Sequence, residues 1–269
     1  MFGFLCSALC SLPPFRGKQR VLKSLFSHAG FYAARSWYGV PMVQNVCDST
    51  WRASMVGSYG TFISDHIAGI DEDFVFLDIG SNQGVFGLLS AMNPRCRKVV
   101  CLEPNPFTFG RLALNVELLD SPVEFSLHNV ALCSGEQDFV PMTVPIGHSG
   151  ASSMAAAIEG RSKSFDARAM AGATLRNRIG KLAGLGVHAK IDVEGAEMIV
   201  LKELRDSGLL QEMSSIVIEV SEKVRGGSRD EISAFFDEAG WSMAKRSGQA
   251  SHFDAVFVSN SVNAVPSAA

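Results

Sequence analysis

Three short segments of this 269-residue chain hold residue types suited to chemistry, and each follows an apolar run. The first is Asp78-Ile79-Gly80-Ser81-Asn82-Gln83-Gly84, after Phe74-Val75-Phe76-Leu77. Gly80 and Gly84 permit a tight turn and a close approach of ligand to backbone. A helix starting there offers free N–H groups and a positive dipole end. Asp78 is an acid at a buried strand end, suited to a ligand that bears an ammonium group. The second segment is Glu103-Pro104-Asn105-Pro106, with Glu103 placed 23 residues after Gly80 at the end of Val99-Val100-Cys101-Leu102. A carboxylate in that position can accept both hydroxyls of a ribose, and the two prolines set the turn. The third is Lys190-Ile191-Asp192-Val193-Glu194-Gly195-Ala196-Glu197, with three carboxylates in six residues. Their mutual repulsion calls for a cation, whether a sulfonium or ammonium ligand, Lys190, or a metal. Glu197 falls in a first helical turn, where the dipole already favours it.

The elements that must position these segments are legible in outline. Phe74–Ile79, Val99–Leu102, His188–Val193 and Ile216–Val220 read as buried parallel strands, and Val123–Leu132 and Asp138–Val144 as further strands. Helices are expected over Trp51–Ile67, Val85–Met92, Phe107–Leu119 and Ala173–Leu182, and one follows Glu194-Gly195-Ala196-Glu197 through Leu209, with Glu197 in its first turn. Ser228–Ala239 is expected as a helix opened by a capping box of Ser228 and Glu231, with Gly240 just past its end. Trp241–Lys245 and Phe253–Val258 pair as a terminal antiparallel hairpin. Residues 145–163, rich in Gly, Ser and Ala, read as a loop, with a closing lid and a plain connection both open. The alternation of strand and helix predicts an α/β fold, a doubly wound, mostly parallel sheet with N-terminal helices. Ligands in such folds bind outside the carboxyl ends of the strands, where all three segments lie.

Two nucleotide motifs are excluded. A dinucleotide fingerprint needs G-x-G-x-x-G, and Asn82 and Val85 stand at its second and third glycines. A phosphate loop of the Walker type needs Gly-Lys-Ser/Thr, which is absent here. Taken together, Asp78–Gly84, Glu103–Pro106 and Lys190–Glu197 resemble, in order and spacing, the FkbM family of S-adenosylmethionine-dependent methyltransferases, over roughly Tyr59 to Val258. The resemblance implies a class I, Rossmann-like methyltransferase whose cofactor is S-adenosylmethionine. It implies that Gly80, Asn82 and Gly84 line the cofactor, with Asp78 near its methionine moiety and Glu103 on the ribose hydroxyls. Asn129 and Ala131 would stand on the adenine side, and Asp192 beside the methionine end. Asp192 and Glu194 are the expected catalytic pair, and the implied acceptor is a hydroxyl of a sugar, glycolipid or polyketide-like metabolite. His148 and His188 are further candidate bases, His128 and His252 weaker ones. A non-catalytic cofactor- or nucleoside-binding module and an NAD-linked oxidoreductase are the alternatives.

Composition sets the frame. Hydrophobic residues make up 47% of the chain and charged residues 19%, so the length suits one α/β domain with a sizeable core. The net charge of −3 gives no reason to expect a nucleic-acid partner. No Asp or Glu precedes Asp48, whereas Arg16, Lys18, Arg20, Lys23 and Arg35 do, which leaves −8 on the rest. Residues 1–58 therefore read as an N-terminal basic helical segment, 59–259 as the methyltransferase domain and 260–269 as a disordered tail. Val21, Leu22, Leu25 and Phe26 recur at helical spacing, so that segment either packs on the domain or rests on a membrane surface. The six cysteines form no CxxC pair, no metal ligand set is expected, and a reducing cytoplasm suits them.

Overall fold

The computed structural model describes all residues except 1–7, 14, 29–32, 155–160, 181, 183, 222–228, 249–250 and 261–269. In chain order the elements begin with α1 (Lys18–His28), β1 (Ala33–Arg35), β2 (Pro41–Val43), α2 (Ser49–Val56) and α3 (Phe62–Ala68). Next come β3 (Phe74–Ile79), α4 (Val85–Ser90), β4 (Cys96–Leu102), α5 (Pro106–Leu119) and β5 (Glu124–His128). Then follow β6 (Ala131–Leu132), β7 (Phe139–Pro145), β8 (Ser162–Met170) and α6 (Gly172–Ile179). The chain ends with β9 (Gly186–Ile191), α7 (Glu197–Asp206), β10 (Ser215–Ser221), α8 (Arg229–Glu238), β11 (Trp241–Arg246) and β12 (His252–Ser259).

Seven strands form the main sheet in the order β11-β12-β10-β9-β3-β4-β5. The five from β5 to β10 run parallel, and β12 is antiparallel to both its neighbours. Every residue of β3 is buried, which is why its sequence is an unbroken apolar run interrupted only by Asp78. Side chains alternate across the sheet: Val75, Leu77 and Ile79 join one core layer with Val200, Leu201 and Leu204 of α7, and Phe74 and Phe76 join the other. That second layer also holds Trp51, Met55, Val85 and Leu88, together with Leu22 of α1. Phe76 is wholly buried, so its truncation to alanine would cost about 3–5 kcal/mol.

The doubly wound, mostly parallel sheet agrees with the expectation, and several boundaries move for identifiable reasons. The single helix expected over Trp51–Ile67 is two, because Gly57 takes a left-handed turn (φ 76°) that closes α2. A Cβ there would lie 2.5 Å from the Trp37 ring, so the break belongs to the packing. Val123–Leu132 is also divided, into β5 and β6, and only β5 joins the main sheet. β6, β8 and β7 form a separate three-stranded sheet in that order. No strand was expected over β8; most of its residues are exposed, so no apolar run marks it. The expected helix Ala173–Leu182 is Gly172–Ile179, ended by Gly180. The terminal hairpin forms, but its second strand is inserted between β10 and β11. Ser228 of the expected capping box lies outside the described residues.

On α1, Lys18 and Leu22 turn inward, while Arg16, Arg20 and Lys23 are exposed. Lys18 Nζ donates to the carbonyls of Cys10 and Leu12, and burial lowers its pKa. Among the described residues no helix is long and apolar enough to cross a membrane. Cys10, Cys96, Cys101 and Cys133 are buried.

Candidate functional site

From β3 the chain steps outward through β4 and β5, then returns to add β9 and β10 on the other side. This reversal makes a switch point at the carboxyl ends of β3 and β9, the place where open α/β sheets leave a crevice. A cavity of about 560 Å³ lies there. It is lined by the turn Gly80–Gln83, by Glu103, by Ala131 and by Asp192 and Glu194. All three chemistry-bearing segments thus meet at one cavity.

The glycine turn is held tightly. Gly80 has φ +77°, and a Cβ on it would lie 1.9 Å from the carbonyl oxygen of Asp192, so only glycine fits. Asn82 adopts φ +51°, and its backbone N–H donates to Glu103 Oε2 at 2.8 Å. The other oxygen, Oε1, accepts from Asn105 N at 2.8 Å. Burial pushes the Glu103 carboxyl up to about 7, against the two backbone hydrogen bonds that favour its charged form. Each oxygen keeps a further lone pair for an incoming hydroxyl. Asn105 caps α5 by accepting from Phe107 N, and Pro106 opens that helix.

Three expected site residues brace the cavity without lining it. Asp78 is completely buried on the α4 side of the sheet, where Oδ2 accepts from Gly87 N at 2.9 Å. Gly84 caps α4 at φ +87°, where a Cβ would lie 2.4 Å from Leu112. Asn129 Nδ2 donates to the carbonyls of Glu103 (2.8 Å) and Pro104 (3.0 Å), tying the end of β5 to the Glu103 turn.

The repulsion among the acids is relieved in part from within. Lys190 Nζ lies 3.2 Å from Asp192 Oδ2, 3.6 Å from Asp78 Oδ1 and donates to Gly80 O at 3.0 Å. Burial alone would lower the Lys190 pKa, yet Asp192 and Asp78 hold it above its ordinary value. At this pole of the cavity Asp192, Glu194 and Glu219 each bring an oxygen within 4.8 Å of the others. No metal ligand set was expected from the sequence; this trio has a spacing that a cation could use. Burial first, and then Asp192 and Glu197, pushes Glu194 up to about 8. Burial, followed by Asp192, Glu194 and Asp254, pushes Glu219 up to about 9. His252 Nε2 stands 2.9 Å from Glu219 Oε1. Glu197 is turned away, with Oε1 accepting from Gly195 N at 3.1 Å.

Several lining residues were not anticipated. Thr50, Trp51 and Ser54 of the N-terminal segment, with Tyr59 just after it, wall the cavity. Glu219 carried a signal, a carboxylate inside an otherwise apolar strand, whereas Asp254 reaches it only because β12 pairs Asp254 with Glu219. His148 lines the cavity as well. His188 does not line this cavity: it lies toward the other end of the sheet, with Nδ1 2.7 Å from Ser215 Oγ and Nε2 3.1 Å from Glu72 Oε1. Burial lowers its pKa to about 4.

No family model matches the chain. Among curated proteins, the hexuronic acid methyltransferase AglP of Haloferax volcanii is 25% identical over 189 residues, which is 70% of this chain and 71% of that protein. Among solved structures, M. capricolum TrmK in complex with S-adenosyl-homocysteine is similar at 11% identity and a TM-score of 0.43, covering 74% of this chain and 68% of that one. M. jannaschii TYW2 in complex with AdoMet is similar at 14% identity and a TM-score of 0.43, covering 85% and 87%.

Proposed function

We propose that the protein is a methyltransferase that uses S-adenosylmethionine and methylates a hydroxyl of a sugar, glycolipid or polyketide-like acceptor. One observation carries the reading: the Gly80–Gln83 turn, the Glu103 carboxylate and the Asp192–Glu194 loop line a single cavity at the switch point of the sheet. Glu103, braced by two backbone N–H groups, suits the vicinal hydroxyls of a ribose. The acids at the other pole suit a ligand that carries a sulfonium and an ammonium. The FkbM-like order of the three segments and the 25% identity to a protein named as a hexuronic acid methyltransferase support methyl transfer and a sugar acceptor.

When bound, the cofactor supplies an electrophilic methyl group on its sulfonium. The chain's own residues set the geometry for in-line attack, in which positioning does much of the work. Gly80 and Asn82 approach through backbone, with Ala131 on the adenine side. Asp192, held by Lys190, stands beside the methionine end. Glu194 receives the acceptor proton, because its raised pKa makes it a stronger base once ionised. Asp78, Gly84 and Asn129 act by bracing the turn and the Glu103 loop.

Calorimetric titration with S-adenosylmethionine, S-adenosyl-homocysteine and NAD tests the cofactor, and incubation of the protein and methyl-labelled cofactor with cell extract tests the transfer. Binding of the first two and label uptake by a glycan or glycolipid fraction are expected. Binding of NAD alone would establish an oxidoreductase instead, and cofactor binding with no labelled product a non-catalytic module.

A further inference from the structure

Asp48, the first acidic residue in the chain, is nearly buried and takes four hydrogen bonds from three separate segments. Its Oδ1 accepts from Trp51 N (2.8 Å), Gln83 Nε2 (3.2 Å) and Ser149 Oγ (3.1 Å), and Oδ2 accepts from Ser149 N (2.8 Å). The Trp51 bond is an ordinary helix cap for α2. The other three bonds do not serve the helix. They join the N-terminal segment to the glycine turn and to the loop after β7.

That loop is fastened along its length. Ser49 N donates to Gly147 O at 2.8 Å, and Gly150 N donates to Thr50 Oγ1 at 2.9 Å. The two strands of chain approach so closely that a Cβ on Gly147 would lie 2.9 Å from Cys47 O, and one on Gly150 2.8 Å from Thr50 Oγ1. Ser149 Oγ is also 3.1 Å from Asn82 Oδ1, and Asn82 N holds Glu103. A continuous path of contacts therefore runs from Asp48 through Ser149 and Asn82 to the Glu103 carboxylate. Thr50, Trp51, His148, Ser149 and Gly150 all face the cavity.

We propose that Asp48 is a positioning residue for cofactor binding: it sets the Asn82–Gln83 turn and holds residues 147–150 as the wall above it, which makes the N-terminal segment part of the site. This inference rests on the reading of the cavity as a cofactor site. The competing role is the helix cap alone, and one substitution separates the two. Serine is as good a cap as aspartate but offers a single short oxygen, so Asp48→Ser preserves the cap and loses the links to Gln83 and Ser149.

The expected result for Asp48→Ser is a thermal midpoint close to that of the unaltered protein, with S-adenosylmethionine bound at least tenfold more weakly. In the absence of any cofactor, amide exchange at Asn82, Gln83 and Ser149 is expected to quicken at least tenfold, while that of α7 is unchanged. Asp48→Asn, which keeps two polar atoms, is expected to recover part of both effects. Asp48→Ser with unaltered exchange at Asn82 and Gln83 would overturn the inference, and so would cofactor affinity within twofold of the original. If the unaltered protein bound no S-adenosylmethionine, the methyltransferase reading would fail by itself, and the exchange experiment would still decide whether Asp48 sets the turn.

Discussion

The α-carbon of Gly80 stands so close to the carbonyl oxygen of Asp192 that a Cβ between them would lie 1.9 Å from that oxygen. The glycine turn and the acid loop are thus a single contact, made across the β3–β9 boundary of the sheet. Lys190 spans the same contact, donating to Gly80 O and pairing with Asp192.

Gly80→Ala forces these two loops apart and also places an L side chain at φ +77°. The expected outcome is loss of S-adenosylmethionine binding by more than about 100-fold, well beyond the fall in thermal stability. Calorimetry and a melting curve on the same sample check it. Full affinity in the variant would mean that the close approach has no part in binding.

Glu103→Gln keeps the shape of the side chain and removes its charge and one acceptor. Hydrogen bonds to charged groups contribute roughly 1.5–3 kcal/mol, so affinity for the cofactor should fall about 10- to 100-fold. Circular dichroism should show the same fold with a lower melting temperature, because one of the backbone N–H groups of Asn82 and Asn105 then faces the amide nitrogen and loses its acceptor.

Glu194→Gln separates catalysis from binding. Turnover is expected to drop by about 10² to 10⁴, with cofactor affinity changed by less than about threefold. In the unaltered enzyme kcat should rise with pH as Glu194 loses its proton near 8. A variant with weakened binding and normal turnover would reverse the roles given to Glu194 and Glu103.

Folding stability should depend on pH chiefly through three acids, opposed below about 6.5 by His66 and His188, whose pKa burial lowers to about 4. Glu103, Glu194 and Glu219 are raised to about 7, 8 and 9, in each case by burial first. In the unfolded chain such groups titrate near about 4.3, so between there and 9 the folded state binds more protons. Their contribution is fully present below the unfolded value and is lost as the pH rises through the folded values. The melting temperature should therefore fall from pH 5 to 9, and Glu219→Gln should flatten the fall. A rising curve in that window would contradict the burial of these carboxylates.

Much of the site could be read before folding because the Gly80–Gln83 turn, Glu103 and the Asp192–Glu194 loop are each local in sequence. Glycines and acids at the ends of β3, β4 and β9 follow apolar runs, and a strand buried on both faces announces its end where polar residues begin. The rest of the acid pole was harder, since Glu219, Asp254 and His252 meet only through the pairing of β10 with β12. β8 was missed because few of its residues are buried, which leaves no periodic signal. The N-terminal wall was missed for another reason. Thr50 and Ser54 look like ordinary helix residues, and nothing local distinguishes the face of α2 that turns toward a cavity. Asp78 shows the reverse case, a residue whose type suggested ligand contact and whose parity in β3 directs it to α4 instead.

The insertion of β12 between β10 and β11 bears on how the chain must be assembled. During synthesis β10 emerges with one edge uncovered, and its final neighbour there, β12, appears only after β11. Asp254 and His252 arrive on β12, so a nascent chain carries Gly80, Glu103 and Asp192 well before this side of the cavity exists. A product stopped short of residue 252 would be left with an open β edge beside Glu219, available for pairing with a second chain.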